Sequence, residues 1–183
     1  MRLSWLPNAL TLARCGLAFV VAGLTLEAPD TSFLPLVAFV AVALTDFLDG
    51  WAARWLKAVS ELGAFLDPIA DKLLVGLSLL ALSFLQHWAI LILVPTVIII
   101  LRDLIATGLR LIPSVEMPVS KIAKWKTAIE MIGIGALLAA PAFASTQIWN
   151  AGLVLIWLAA LLSVYTLGLY LGALIAETKR PHQ

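Results

Sequence analysis

Asp46-x-x-Asp49-Gly50-x-x-Ala53-Arg54, then eight residues, then Gly63-x-x-x-Asp67-x-x-x-Asp71 set four carboxylates into an otherwise apolar part of the chain. An acid at the centre of a membrane helix costs about 2.5–3.5 kcal/mol on insertion scales, so such groups usually serve a function. Four of them in one place repel one another unless cations lie between them. At about 100° per residue, Asp46, Asp49, Gly50 and Ala53 fall within an arc of about 100°, with Arg54 at its edge. Gly63, Asp67 and Asp71 likewise share a face at i, i+4 spacing. Hard carboxylate oxygens suit Mg²⁺ or Mn²⁺, whereas zinc would prefer His or Cys. Neither His87 nor His182 is placed to join them. Two such ions side by side would clamp a phosphate and stabilise charge that shifts during its transfer. Gly50, Ala53 and Gly63 taken alone would read as helix packing. Interleaved with four aspartates, they read as room for an extended group to approach the backbone.

The elements that must carry this face are membrane helices. The 183 residues are 62% hydrophobic and only 13% charged, about half the charged share of a soluble domain. Mean hydropathy is +1.04. Apolar runs near the roughly 20 residues needed for one crossing recur along the chain. The pattern predicts six transmembrane helices near 7–26, 34–56, 63–85, 88–111, 124–142 and 148–176, an all-α polytopic architecture in one domain, 1–183. Glu27-Ala28-Pro29-Asp30 ends the first span, Gln86-His87 separates the third and fourth, and Pro141 closes the fifth. Ser60 followed by Glu61 is an expected N-cap of the third helix. The last span exceeds one crossing and is expected to emerge as an interfacial helix near Ala176. Arg14 interrupts the first apolar run and no convincing cleavage site follows, so this run is read as a retained helix rather than a signal peptide.

Arg2, Arg54, Lys57, Arg110, Lys121, Lys124, Lys126, Lys179 and Arg180 fall at one set of helix ends, while the opposite loops hold Glu27, Asp30 and His87 without Lys or Arg. The positive-inside rule then places both termini, and the open end of the aspartate string, in the cytoplasm. A net charge of +1 gives a nucleic-acid partner no support. Cys15 is alone and excludes a disulfide framework. Trp5, Trp51, Trp55, Trp88 and Trp149 lie near expected interfaces, where an aromatic belt accounts for them.

The complete string resembles the signature of the CDP-alcohol phosphatidyltransferase family, with every defining position present. That resemblance implies a six-helix membrane enzyme, commonly a homodimer, with its site open to the cytoplasm; for a bacterial chain the membrane would be the inner one. It implies a divalent-metal-dependent transfer of the phosphatidyl group of CDP-diacylglycerol to an alcohol, releasing CMP in phospholipid synthesis. By the family pattern, Asp46, Asp49 and Asp67 would hold one Mg²⁺ or Mn²⁺ ion, and Asp46, Asp67 and Asp71 a second. Asp71 would also take the proton of the attacking hydroxyl. Gly50, Ala53, Arg54, Ser60 and Gly63 would line the donor's cytidine diphosphate.

Further segments are similar to phosphatidylglycerophosphate synthases within that family. They are Pro7-Asn8-x-x-Thr11-Leu12-x-Arg14, Phe65-Leu66-Asp67-Pro68-x-Ala70-Asp71-Lys72, Arg102-Asp103…Arg110 and Lys124-Trp125-Lys126-Thr127. The last departs from its pattern at Ala123 and Glu130, where glycine and glutamine are usual. This resemblance implies sn-glycerol 3-phosphate as acceptor. Arg102, Arg110, Lys124 and Lys126 would bind the acceptor's phosphate, as cations beside a metal site can. Lys121 is read as a topology signal, and Arg102 could instead pair with Asp103. Asn8, Thr11 and Arg14 occupy an arc of about 120° on the first helix, and would either contact the donor's diphosphate or bond between helices. Lys72 faces away from Asp71 and reads as a structural ion-pair partner or a snorkelling residue. A cardiolipin synthase of the same fold, using phosphatidylglycerol, is the nearest alternative. A cation or proton transporter and a non-catalytic scaffold are alternatives of other classes.

Overall fold

The computed structural model describes the backbone over residues 5–56, 61–110 and 121–178, and side chains over 12–45, 69–70, 72–109 and 125–172. The described residues form six α-helices and no strand: α1 Trp5–Glu27, α2 Leu34–Leu56, α3 Glu61–Leu85, α4 Ile90–Arg110, α5 Lys121–Ala142 and α6 Thr146–Thr178. Every expected helical interval is occupied, with ends moved by a few residues. Ser60, the expected N-cap of α3, lies outside the described residues.

Two of the breaks have a physical cause that residue types did not announce. His87, Trp88 and Ala144 adopt positive φ of 51°, 58° and 46°. The chain reverses there through left-handed residues, and the last helical carbonyls are recovered by the backbone. Trp88 N–H donates to Ser83 O at 2.8 Å, and Ser145 N–H to Ala140 O at 3.1 Å, the six-to-one bond of a left-handed helix end. This delays α4 to Ile90. Pro141, expected to close the fifth helix, lies inside α5 instead, and Ala144 makes the turn.

Packing is antiparallel and close where glycine permits it. A Cβ added to Gly133 of α5 would lie 2.9 Å from Ile156 Cδ1 of α6, and one on Gly152 of α6 would lie 2.9 Å from Leu137 of α5. Each helix therefore receives a large side chain of its partner over a glycine, as small residues allow in membrane bundles. α3 and α4 form a second antiparallel pair, joined in the interior by Ser83 Oγ and Thr96 Oγ1 at 3.2 Å. α1 packs extensively on α3, α4 packs on α6, and α1 also packs on α2. Among the described residues α2 and α3 touch only slightly. The sequence leads one to expect those two to meet at their acidic ends, whose side chains lie outside the described residues; among the described residues α1 is the main partner of α3. The core draws on all six helices, including Val21, Phe39, Leu79, Ile99, Leu137 and Ile156.

The outer surface is as apolar as the interior. Phe19, Val37, Phe84, Leu104, Ile132 and Leu161, one from each helix, are all more than half exposed. Among the described residues, Ile90–Leu109 and Thr146–Gly172 are long and apolar enough to cross a membrane. α4 contains Pro95, which has no N–H to donate to the carbonyl one turn back. Trp157 Nε1–H of α6 takes that place, donating to Leu91 O at 2.9 Å. Trp157→Phe therefore leaves the carbonyl without a donor and is expected to lower stability by about 1–2 kcal/mol. Thermal unfolding in detergent checks this. In a Pro95→Ala background, where the helical N–H returns, the same substitution should have a clearly smaller effect.

Candidate active site

The α2–α3 connection spans four residues, so the two acidic segments enter from the same end of the bundle. Asp46 lies ten residues before Leu56 and Asp71 ten residues after Glu61, while Asp49 and Asp67 stand seven and six residues from those ends. At about 1.5 Å per residue the four acids lie about 9–15 Å inside, in two matched levels. Gly50, Ala53 and Arg54 share α2 with the first pair, and Gly63 shares α3 with the second. The side chains of these residues, and all of Ser60, lie outside the described residues. His87 stands at the far end of α3, sixteen residues beyond Asp71, about 24 Å along the axis. The donor set that α2 and α3 can offer is thus carboxylate oxygen, which fits Mg²⁺ or Mn²⁺.

Lys72, the residue after Asp71, marks what stands beside this level. Its Nζ donates to the main-chain carbonyl of Asp103 at 2.8 Å and to Thr107 Oγ1, both on α4. Thr107 Oγ1 also donates to the Asp103 carbonyl at 2.8 Å. The side chain of Asp103 accepts from Arg102 Nη1 at 2.9 Å and from Lys126 Nζ of α5 at 3.1 Å. Lys126 pairs as well with Glu130 Oε2 at 3.1 Å, one turn further along α5. Arg102 Nη2 donates to Thr166 Oγ1 of α6 at 3.0 Å, and its guanidinium carbon lies 5.7 Å from the centre of the Tyr170 ring. One residue, Asp103, thereby ties α3, α4 and α5 together, and Arg102 adds α6.

Arg102, Asp103, Lys126 and Glu130 are buried, and Lys72 is half-buried. Arg102 and Asp103 are 8% exposed, Lys126 and Glu130 2%. Arg102 Nε is buried and has no hydrogen-bond partner among the described residues, an unusual state for a guanidinium N–H. Arg102 and Lys126 are therefore together at the level of Asp71. Arg102 makes the ion pair with Asp103 that its sequence neighbourhood permits, and Lys72 is a structural tie to α4. Arg110 ends α4 and Lys124 lies in the first turn of α5; the side chains of both are outside the described residues, as are those of Asn8 and Thr11. Arg14 of α1 is buried, with 4% exposure. Sequence reasoning did not assign Asp103, Glu130, Thr166 or Tyr170 to the site. Lys126-x-x-x-Glu130 and Thr166-x-x-x-Tyr170 each carry the i, i+4 signal that could have found them.

Comparison with known proteins identifies the family. A family profile described as CDP-alcohol phosphatidyltransferase matches residues 4–165. A CDP-diacylglycerol–glycerol-3-phosphate 3-phosphatidyltransferase of Rickettsia bellii is 33% identical over 169 residues, covering 88% of this chain and 90% of the relative. An enzyme of the same name from Haemophilus influenzae is 33% identical over 181 residues, with 91% of each chain covered. A cardiolipin synthase (CMP-forming) of Oryza sativa subsp. japonica is 30% identical over 188 residues, covering 93% of this chain and 57% of the relative. With the aspartate string at two matched levels and a match along most of its length, the chain belongs to the CDP-alcohol phosphatidyltransferase family.

Proposed function

We propose that this protein transfers the phosphatidyl group of CDP-diacylglycerol to sn-glycerol 3-phosphate, giving phosphatidylglycerophosphate and CMP. In this reading the six helices all cross the membrane, both termini are cytoplasmic, and the enzyme works as a homodimer in the bacterial inner membrane. The exposed apolar side chains on every helix support burial in lipid. The observation that carries the reaction is the buried cation pair, Arg102 and Lys126, standing beside the helix level of Asp71. A metal site alone would serve any alcohol; cations next to it suit an alcohol that brings its own phosphate. The names of the Rickettsia and Haemophilus relatives point the same way.

Asp46, Asp49, Asp67 and Asp71 would hold two Mg²⁺ or Mn²⁺ ions, which would offset the negative charge of the donor's diphosphate. Arg54 at the rim, with Gly50, Ala53, Ser60 and Gly63, would receive the cytidine diphosphate. Asn8, Thr11 and Arg14 of α1 would complete the donor side. Arg102, Lys126, Arg110 and Lys124 would hold the acceptor's phosphate, with the unpartnered Nε–H of Arg102 a ready donor. Asp71 takes the proton from the acceptor's primary hydroxyl, whose oxygen forms the new bond to the phosphatidyl phosphorus. The bond from that phosphorus to the bridging oxygen breaks, and CMP leaves with the electron pair. The acyl chains need no cavity, because they can remain in lipid.

The test is CMP release by the detergent-solubilised protein with Mg²⁺ or Mn²⁺, changing only the alcohol. Glycerol 3-phosphate should support release, and phosphatidylglycerol should not. The opposite result would make the protein a cardiolipin synthase, a reading for which the rice relative speaks. No release with any alcohol, together with ion movement across sealed vesicles, would make it a transporter.

A further inference from the structure

We propose that Glu130 is an internal counter-ion of the acceptor subsite and sets how tightly an anionic acceptor is held; this rests on the reading above, in which Lys126 and Arg102 receive the acceptor's phosphate. The buried cluster contains two cations, Arg102 and Lys126, and two carboxylates, Asp103 and Glu130. Asp103 alone bonds both cations, and so satisfies the need of each for an opposite charge. Glu130 is a second carboxylate on Lys126, at 3.1 Å and 2% exposed. Burying another ion is expensive, and an uncharged residue of its size would strand neither cation. Its charge has a different consequence. With Glu130 ionised, Arg102 and Lys126 are formally cancelled by the two carboxylates, and among the described residues of this cluster Lys72, bonded to the Asp103 carbonyl, leaves it positive. An arriving phosphate therefore meets a weakly positive subsite, which favours exchange of acceptor and product over tight retention.

For an illustrative separation of about 7 Å, removing one negative charge near a phosphate dianion strengthens its binding by about tenfold even at a water-like dielectric. Glu130→Gln keeps the shape and a hydrogen-bond acceptor for Lys126 while deleting the charge. It should lower KM for glycerol 3-phosphate by about that factor and leave KM for CDP-diacylglycerol where it was. Calorimetric binding of glycerol 3-phosphate to the donor-free protein should tighten in parallel. Glu130→Asp, which keeps the charge, should retain a KM for glycerol 3-phosphate near that of the wild type. A purely structural Glu130 would shift thermal stability without separating the two KM values. An unchanged or raised KM for glycerol 3-phosphate in Glu130→Gln would overturn the inference, as would equal shifts for both substrates. A Glu130→Gln protein unable to fold would overturn it too, by showing Glu130 to be a packing requirement. If the wild type releases no CMP with glycerol 3-phosphate, it is the proposed reaction that fails. An active wild type with an unshifted variant defeats only the role of Glu130.

Discussion

Asp71→Asn should reduce CMP release by about 10²–10⁴-fold, the range that a positioned general base contributes, while the bundle stays folded. The amide has nearly the volume of the acid, so packing is preserved. In the proposed mechanism, what is lost is the charge that would receive the hydroxyl proton, and with it one oxygen donor to a divalent ion. A hydroxyl is a weak nucleophile at neutral pH, so the loss falls on the chemical step, and kcat should drop more than either KM changes. Unfolding midpoints of variant and wild type should agree within the effect of one surface substitution. That combination distinguishes a catalytic Asp71 from one required only for folding. Near-normal CMP release from Asp71→Asn would remove the mechanism, and a scaffold reading would take its place.

Asp103→Ala should produce the largest loss of stability. Its carboxylate is the joint partner of Arg102 and Lys126, at 2.9 and 3.1 Å, and its removal leaves Arg102 with only Thr166 and the Tyr170 ring as observed partners. Breaking a buried ion pair from one side costs about 3–5 kcal/mol, because the remaining charge has lost its counter-ion without regaining water. Lys126 keeps Glu130, so the damage should centre on the contact between α4 and α6. Asp103→Asn retains an oxygen for Arg102 and should lose less. Thermal unfolding in detergent checks the order, alanine below asparagine below wild type. Equal midpoints for all three would mean that the cluster is not a clamp.

The positions of the six helices were legible because a chain this apolar must pair its backbone groups internally, although the exact ends were not: Pro141, expected as a break, lies inside α5. The aspartate string and the family it resembles were equally legible, since they depend on residue type and spacing along single helices. The adjacency of Arg102 and Asp103 in sequence was visible too. Which other helices would meet that pair was not: Lys72, Lys126 and Thr166 reach it from three separate helices. The pairing of α1 with α3, and the indole that serves the carbonyl freed by Pro95, were likewise settled only by the folded bundle. The reason is the absence of contrast. A soluble helix shows its inner face by where its apolar residues lie, whereas here inward and outward faces are both apolar, and association depends on close fit and on a few polar bonds between helices. Sequence thus determined which segments are helices and which family the chain belongs to. Tertiary structure decided which helices are neighbours, and so which buried charges answer one another.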